Sequence, residues 1–343
     1  MPSQLLVPIV RCSPLVGLLM VGGCEFVPDA PTVREPLAGP DTGMIDATLD
    51  LPPAADGVLR IETPDIILEP YDETIVCYMG RFPDDVERLA FSWASMHEHP
   101  VYGHHIQFNG LRDGGDGESP FAGREGELID CSDPLESMLA STNILNLNRP
   151  FEDGSGGEMV LPANTAVSIE GGTDWFFEYH VINPTPRRLR ARGVMDLRRV
   201  DPDTVEHWAA PFVFNDSGFV LPPGEETEVT VDCDWPQDAR VLSVLGHMHD
   251  LGQSMAVDMV TPDGTRSTIY DLPEWQPDWR YMPYVIDFDG GLEVSTGTRF
   301  LTSCSFFNPG SEDIRFPEEM CVASGMFFPA EEPLSCDVAR GGE

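Results

Sequence analysis

The chain has 343 residues, 41% hydrophobic and 9% aromatic, enough for one large or two ordinary domains with buried cores, which excludes a disordered protein. Fifty-eight acidic residues against 20 basic ones leave a net charge of −38, which repels phosphate backbones and anionic membrane surfaces and excludes nucleic acid as a partner. There is no lysine, all 20 basic residues being arginine, so Schiff-base, pyridoxal phosphate and Walker-type phosphate-loop chemistries are excluded too.

Residues 1–24 read as a signal peptide. Arg11 precedes a short apolar stretch from Leu15 to Val21, far below the roughly 18 residues of a spanning helix. The stretch ends in Val21-Gly22-Gly23-Cys24, which resembles a bacterial lipobox and makes Cys24 the candidate lipidation site; an ordinary secretory leader is the alternative. Both send the protein out of the cytoplasm, and the membrane is a partner only through that lipid. Residues 25–57, rich in Pro, Asp and Ala, read as a flexible tether.

Beyond the tether, strand-like runs alternate with Gly, Pro and Asp: Val58–Leu68, Thr74–Met79, His104–Phe108, Thr165–Ile169, Trp175–Ile182, Glu228–Val231, Val241–Leu245 and Phe300–Phe307. This spacing predicts an all-β protein of sandwiches or jelly rolls. Only Asp133–Ala140 carries a brief helical pattern. The turn-rich Arg198-Arg199-Val200-Asp201-Pro202 divides the chain into two expected domains, 58–200 and 201–343. The arginines at 187, 188, 190, 192, 198 and 199 read as surface partners for carboxylates.

Apart from Cys12 and Cys24, six cysteines remain: Cys77, Cys131, Cys233, Cys304, Cys321 and Cys336. None forms a C-x-x-C pair, so three disulfides are the natural reading, in agreement with export. Spacing alone does not choose among the fifteen pairings.

Histidines supply the candidate chemistry. In His247-Met248-His249 the two imidazoles are two residues apart, so on a strand they share a face and converge on one ion. His104 and His105 are adjacent, so joint ligation requires a bulge, which Gly103 would permit. His180 lies in an apolar strand; alone it reads as a core histidine. His97, His99 and His207 sit in polar or loop-like surroundings and read as ordinary imidazoles. Met320 precedes Cys321, and a thioether beside two imidazoles favours copper over zinc.

In order, Cys77, His104-His105, His180, Cys233, His247-Met248-His249-Asp250-Leu251-Gly252, Cys304, Met320-Cys321 and Cys336 resemble the copper type II, ascorbate-dependent monooxygenases, the family of peptidylglycine-hydroxylating and dopamine β-hydroxylating enzymes. The resemblance covers about residues 58 to 338 and implies two jelly-roll-like β-sandwich domains facing each other across a cleft, each with one copper ion. It implies that His104, His105 and His180 hold an electron-supplying copper, and that His247, His249 and Met320 hold the copper where O₂ and substrate meet. From the fifteen disulfide patterns it selects Cys77 with Cys131, Cys233 with Cys336, and Cys304 with Cys321.

The implied reaction is hydroxylation of a C–H bond of a small organic substrate by O₂, with ascorbate or another small reductant supplying electrons. The amidating branch binds its substrate carboxylate with an arginine, an asparagine and a tyrosine at positions that are Leu245, Val322 and Ser324 here. A neutral or cationic substrate is therefore expected. The competing readings are a copper-binding or copper-storing lipoprotein without turnover, and, more distantly, a zinc hydrolase that leaves Met320 without a role.

Overall fold

Strand formation follows the alternation of side chains. In Glu226–Asp234 the sequence ETEVTVDCD buries Val229, Val231 and Cys233 and exposes Glu228, Thr230, Asp232 and Asp234 in alternation with them, the period of two that a one-sided sheet requires. The computed structural model describes residues 43–97, 102–111, 123–131, 141–148, 157–280, 283–330 and 332–340, and Thr42–Glu343 form one compact unit. Among the described residues every regular element is a β-strand or a short 3-10 turn, so the all-β expectation holds.

Two apolar cores lie between sheet layers. The first is built from Phe91, Met195 and Leu197 on one side and Phe108, Phe177 and Tyr179 on the other. Its outer layer is a five-stranded sheet in the order Leu128–Asp130, Glu73–Arg81, Asp174–Ile182, Gly103–Leu111, Ser141–Asn148. The second core centres on Trp235, which stacks on Phe300 and meets Phe327 and Phe212 edge to face. It is covered by the four-stranded sheet Glu226–Asp234, Arg299–Phe307, Gly252–Val260, Arg266–Leu272. The facing layers of both sandwiches belong to a single ten-stranded sheet, made continuous by parallel pairing of Thr165–Val167 with His207–Ala209.

The three disulfides are Cys77–Cys131, Cys233–Cys336 and Cys304–Cys321, with Cα separations of 5.6, 6.2 and 5.9 Å, the pairing that the resemblance implies. Three such bonds belong to an oxidising, exported environment. No helix among the described residues is long and apolar enough to cross a membrane.

Several local expectations are corrected. The run Val58–Leu68 is two strands in different sheets, Val58–Glu62 and Ile66–Leu68. The fold also begins before Val58: Ile45–Asp46 pairs with Leu189–Arg190, and Ala47 is buried, so that part of the expected tether is docked. The arginines at 198 and 199 continue the strand Val194–Val200, and a register shift between them leaves both exposed, which is why the segment reads as a turn. Carboxylate pairing of the arginine stretch is present in Arg188–Glu69, Arg190–Asp46 and Arg192–Asp65, whereas Arg198 lies over Trp93. His97 ends the strand Arg88–His97 and contacts Asp196 at 3.0 Å, and His207 begins the strand His207–Asn215. The signal peptide, Cys24, the rest of the tether, His99 and the helical pattern at 133–140 lie outside the described residues.

Candidate metal centre

The strand Ala239–His247 delivers the first imidazole, and the chain then turns back into Gly252–Val260. Tight packing fixes both ends of this loop. A Cβ on Gly246 would lie 2.3 Å from the Met255 sulfur, and one on Gly252 would lie 2.8 Å from Met248 Cε and 3.0 Å from Trp275. Met248 itself is wholly buried in the core, so the intervening methionine packs inward.

His247 and His249 come together, Nε2 to Nε2 at 3.1 Å, with ring planes 85° apart. Two nitrogens bound about 2.0–2.1 Å from one ion lie about 2.8–3.4 Å apart for angles of roughly 90–110°, so the pair suits a shared metal. On His249 the other ring nitrogen, Nδ1, lies 2.9 Å from the Glu318 carbonyl oxygen; donation to that oxygen leaves the Nε2 lone pair for a ligand, the usual support of a metal-binding imidazole. His249 is buried, and burial holds its pKa below the usual histidine value, opposed by the bond to Glu318. The neutral, ligating form is favoured.

Strand pairing sets the backbone of Met320 alongside this loop. Val322 is the register partner of His247 and Ser324 that of Leu245, so Met320 enters just ahead of the strand beside His247. It is 2% exposed, and the Cys304–Cys321 bond immediately follows it.

Glu319 is one of the residues that sequence reading missed. Its buried carboxylate accepts from the backbone N–H of His249, from Met320 N–H at 3.0 Å and, through the other oxygen, from Leu251 N–H at 2.9 Å. Burial pushes its pKa up, against the pull of those three donors. Trp275 adds a further tie, Nε1–H to the His249 carbonyl oxygen at 3.0 Å, and Arg280 pairs with Asp250 at 2.9 Å.

The other histidines lie on the five-stranded sheet. His180 is wholly buried, and its Nε2 is 2.8 Å from Glu73 Oε1. In the register of its neighbour, His180 pairs with His105 and Val181 with Gly103, so His104 is the extra residue of a bulge. The backbone therefore makes the irregularity that adjacent ligands require and sets it beside His180. The side chains of His104 and His105 lie outside the described residues.

Among the described residues, Cys77, Cys131 and Glu178 are also close enough to suggest an ion site, but the two sulfurs are bonded to each other and offer no thiolate.

No protein-family model and no curated protein matches the chain. Among solved structures, it is similar to a peptide-N(4)-(N-acetyl-β-D-glucosaminyl) asparagine amidase, at 11% identity and a TM-score of 0.28, over 81% of this chain and 98% of that one. It is also similar to the Gx strain protein of infectious bursal disease virus, at 10% identity and a TM-score of 0.21, over 79% and 70% of the two chains. Likenesses this distant carry no functional argument.

Proposed function

We propose that this protein is an exported copper monooxygenase that hydroxylates a C–H bond of a small organic substrate with O₂ and an external reductant such as ascorbate. The observation that carries the reading is the His247–His249 pair, with Nε2 atoms 3.1 Å apart and the His249 Nδ1 on a backbone carbonyl. Copper, when bound, supplies one-electron cycling and reaction with O₂, and two ions store the two electrons needed to reduce the second oxygen atom to water.

The chain's own residues do the rest. His247, His249 and Met320 would hold one ion, and the thioether would favour its reduced state. His104, His105 and His180 would hold the other, with Glu73 orienting His180 as outer carboxylates orient ligating imidazoles. Leu245, on the strand that ends at His247, and Val322 and Ser324, on the strand paired with it, would present substrate with an apolar surface and one hydroxyl. We assign Cys24 as the lipid anchor that keeps the protein at the cell envelope.

The test is reconstitution of the exported chain with copper, a count of bound metal and measurement of ascorbate-dependent O₂ consumption against product formed. Two ions with coupled substrate oxidation are expected. Copper bound without coupled turnover would identify a binding or storage protein instead, and tight zinc with no copper preference would overturn both.

A further inference from the structure

We infer that Glu319 is a positioning residue that clamps the two ligand-bearing segments of the second metal site into one unit. The inference rests on the proposed reading of that site and goes beyond its ligand set.

The two segments are 70 residues apart in sequence, and the strand ladder that pairs His247 with Val322 stops there, short of His249 and Met320. Glu319 spans the gap. One carboxylate oxygen takes the N–H groups of His249 and Met320, and the other takes the N–H of Leu251. The Glu318 carbonyl oxygen beside it receives the His249 ring. One side chain thus fixes the backbone at two of the three proposed ligands. The carboxylate is 1% exposed, so these bonds do not compete with water, and hydrogen bonds to a buried charge are the strong ones.

Only a carboxylate suits this place. Glutamine keeps the shape and one acceptor oxygen, but it turns an NH₂ group toward the N–H of Leu251, setting donor against donor. Glu319→Gln should therefore loosen the site without emptying the core. Changes to outer partners of metal ligands typically lower affinity about 10- to 100-fold.

The experiment compares the wild-type chain with Glu319→Gln, measuring three quantities. Competition with a Cu(I) chelator gives the affinity of each site, X-ray absorption at the copper edge gives the sulfur contribution, and thermal unfolding reports the fold. Expected for Glu319→Gln are a tenfold or greater loss of Cu(I) affinity at the second site, a weakened copper–sulfur signal, and an unchanged first site. A merely structural role would lower the unfolding midpoint and leave the copper–sulfur signal of the folded fraction intact, which would overturn the inference.

Hydrogen exchange in the metal-free wild-type protein is the second arm. The amides of His249, Leu251 and Met320 should exchange slowly; fast exchange would refute the clamp even if the variant did not fold. If the wild-type protein binds no copper but its three amides are protected, the functional reading fails and the clamp remains as a structural fact. Copper binding with unprotected amides is the opposite result.

Discussion

Removing the disulfides one pair at a time should separate stability from metal binding. In each variant both cysteines become alanine. The closed loops span 17 residues for Cys304–Cys321, 54 for Cys77–Cys131 and 103 for Cys233–Cys336. Chain-entropy estimates for such loops are about 3, about 4 and about 5 kcal/mol. All six half-cystines are buried, so the lost sulfur packing adds a comparable cost to each and preserves the order. The shortest loop is thus the least important to stability. It is also the one whose second cysteine adjoins Met320, so its removal should lower Cu(I) affinity at the second site about tenfold, the lower end of what disturbed outer partners cost. The pair Cys77–Cys131, in the other sandwich, should leave that site intact. Urea midpoints and slopes measure the first ranking, and chelator competition measures the second. Equal loss of Cu(I) affinity in all three variants, or a Cys304–Cys321 variant that is the least stable, would refute the reasoning.

Met320→Ile keeps a buried apolar side chain of similar bulk and should cost under about 1.5 kcal/mol in unfolding free energy, while chelator competition shows Cu(I) lost from the second site. Asp196 is buried and accepts a two-pronged bond from Arg60 at 2.7 and 2.8 Å; burial opposes its ionisation, but Arg60 and His97 hold its pKa below the usual carboxylate value. A carboxyl depressed in the folded state stabilises above its unfolded pKa of about 3.9. Asp196→Asn should therefore cost about 2–3 kcal/mol at neutral pH, and the difference from wild type in urea midpoint should shrink as the pH falls below about 4. Because Leu245, Val322 and Ser324 provide no cation, glycine-extended peptides should be poor substrates beside matched neutral or cationic molecules in a coupled oxidation assay; efficient, carboxylate-dependent conversion of the peptides would contradict this.

The sandwich architecture was legible because strands such as Glu226–Asp234 alternate cleanly. Strands buried on both faces were harder to read: Arg88–His97 carries Leu89, Ala90 and Phe91 in succession, all buried, and a continuous apolar run has no period to detect. The arginine pair at 198 and 199 failed for the opposite reason, since a bulge turned both side chains to solvent. The histidine positions stand out in sequence because imidazoles are rare in this chain and H-x-H has a strand geometry. Bulge formation at His104 was legible as a requirement, though only the pairing register supplies it.

The supports of the candidate site were illegible for a different physical reason. Glu319 lies 70 residues from His249, and Glu73 lies 107 from His180. In a chain with 58 acids and no lysine, a single glutamate before a methionine carries no signal, because almost every acid in such a sequence is a solvated surface charge. What distinguishes Glu319 is its burial together with the nature of its partners: three backbone N–H groups. An anion satisfied only by neutral dipoles keeps its full charge in a buried place, which is costly unless a cation lies near. The arginine that pairs with a residue of this loop, Arg280, does so with Asp250. A metal cation held by His247, His249 and Met320 would provide the offsetting charge, so the same carboxylate that fixes the ligands also favours what they are proposed to hold.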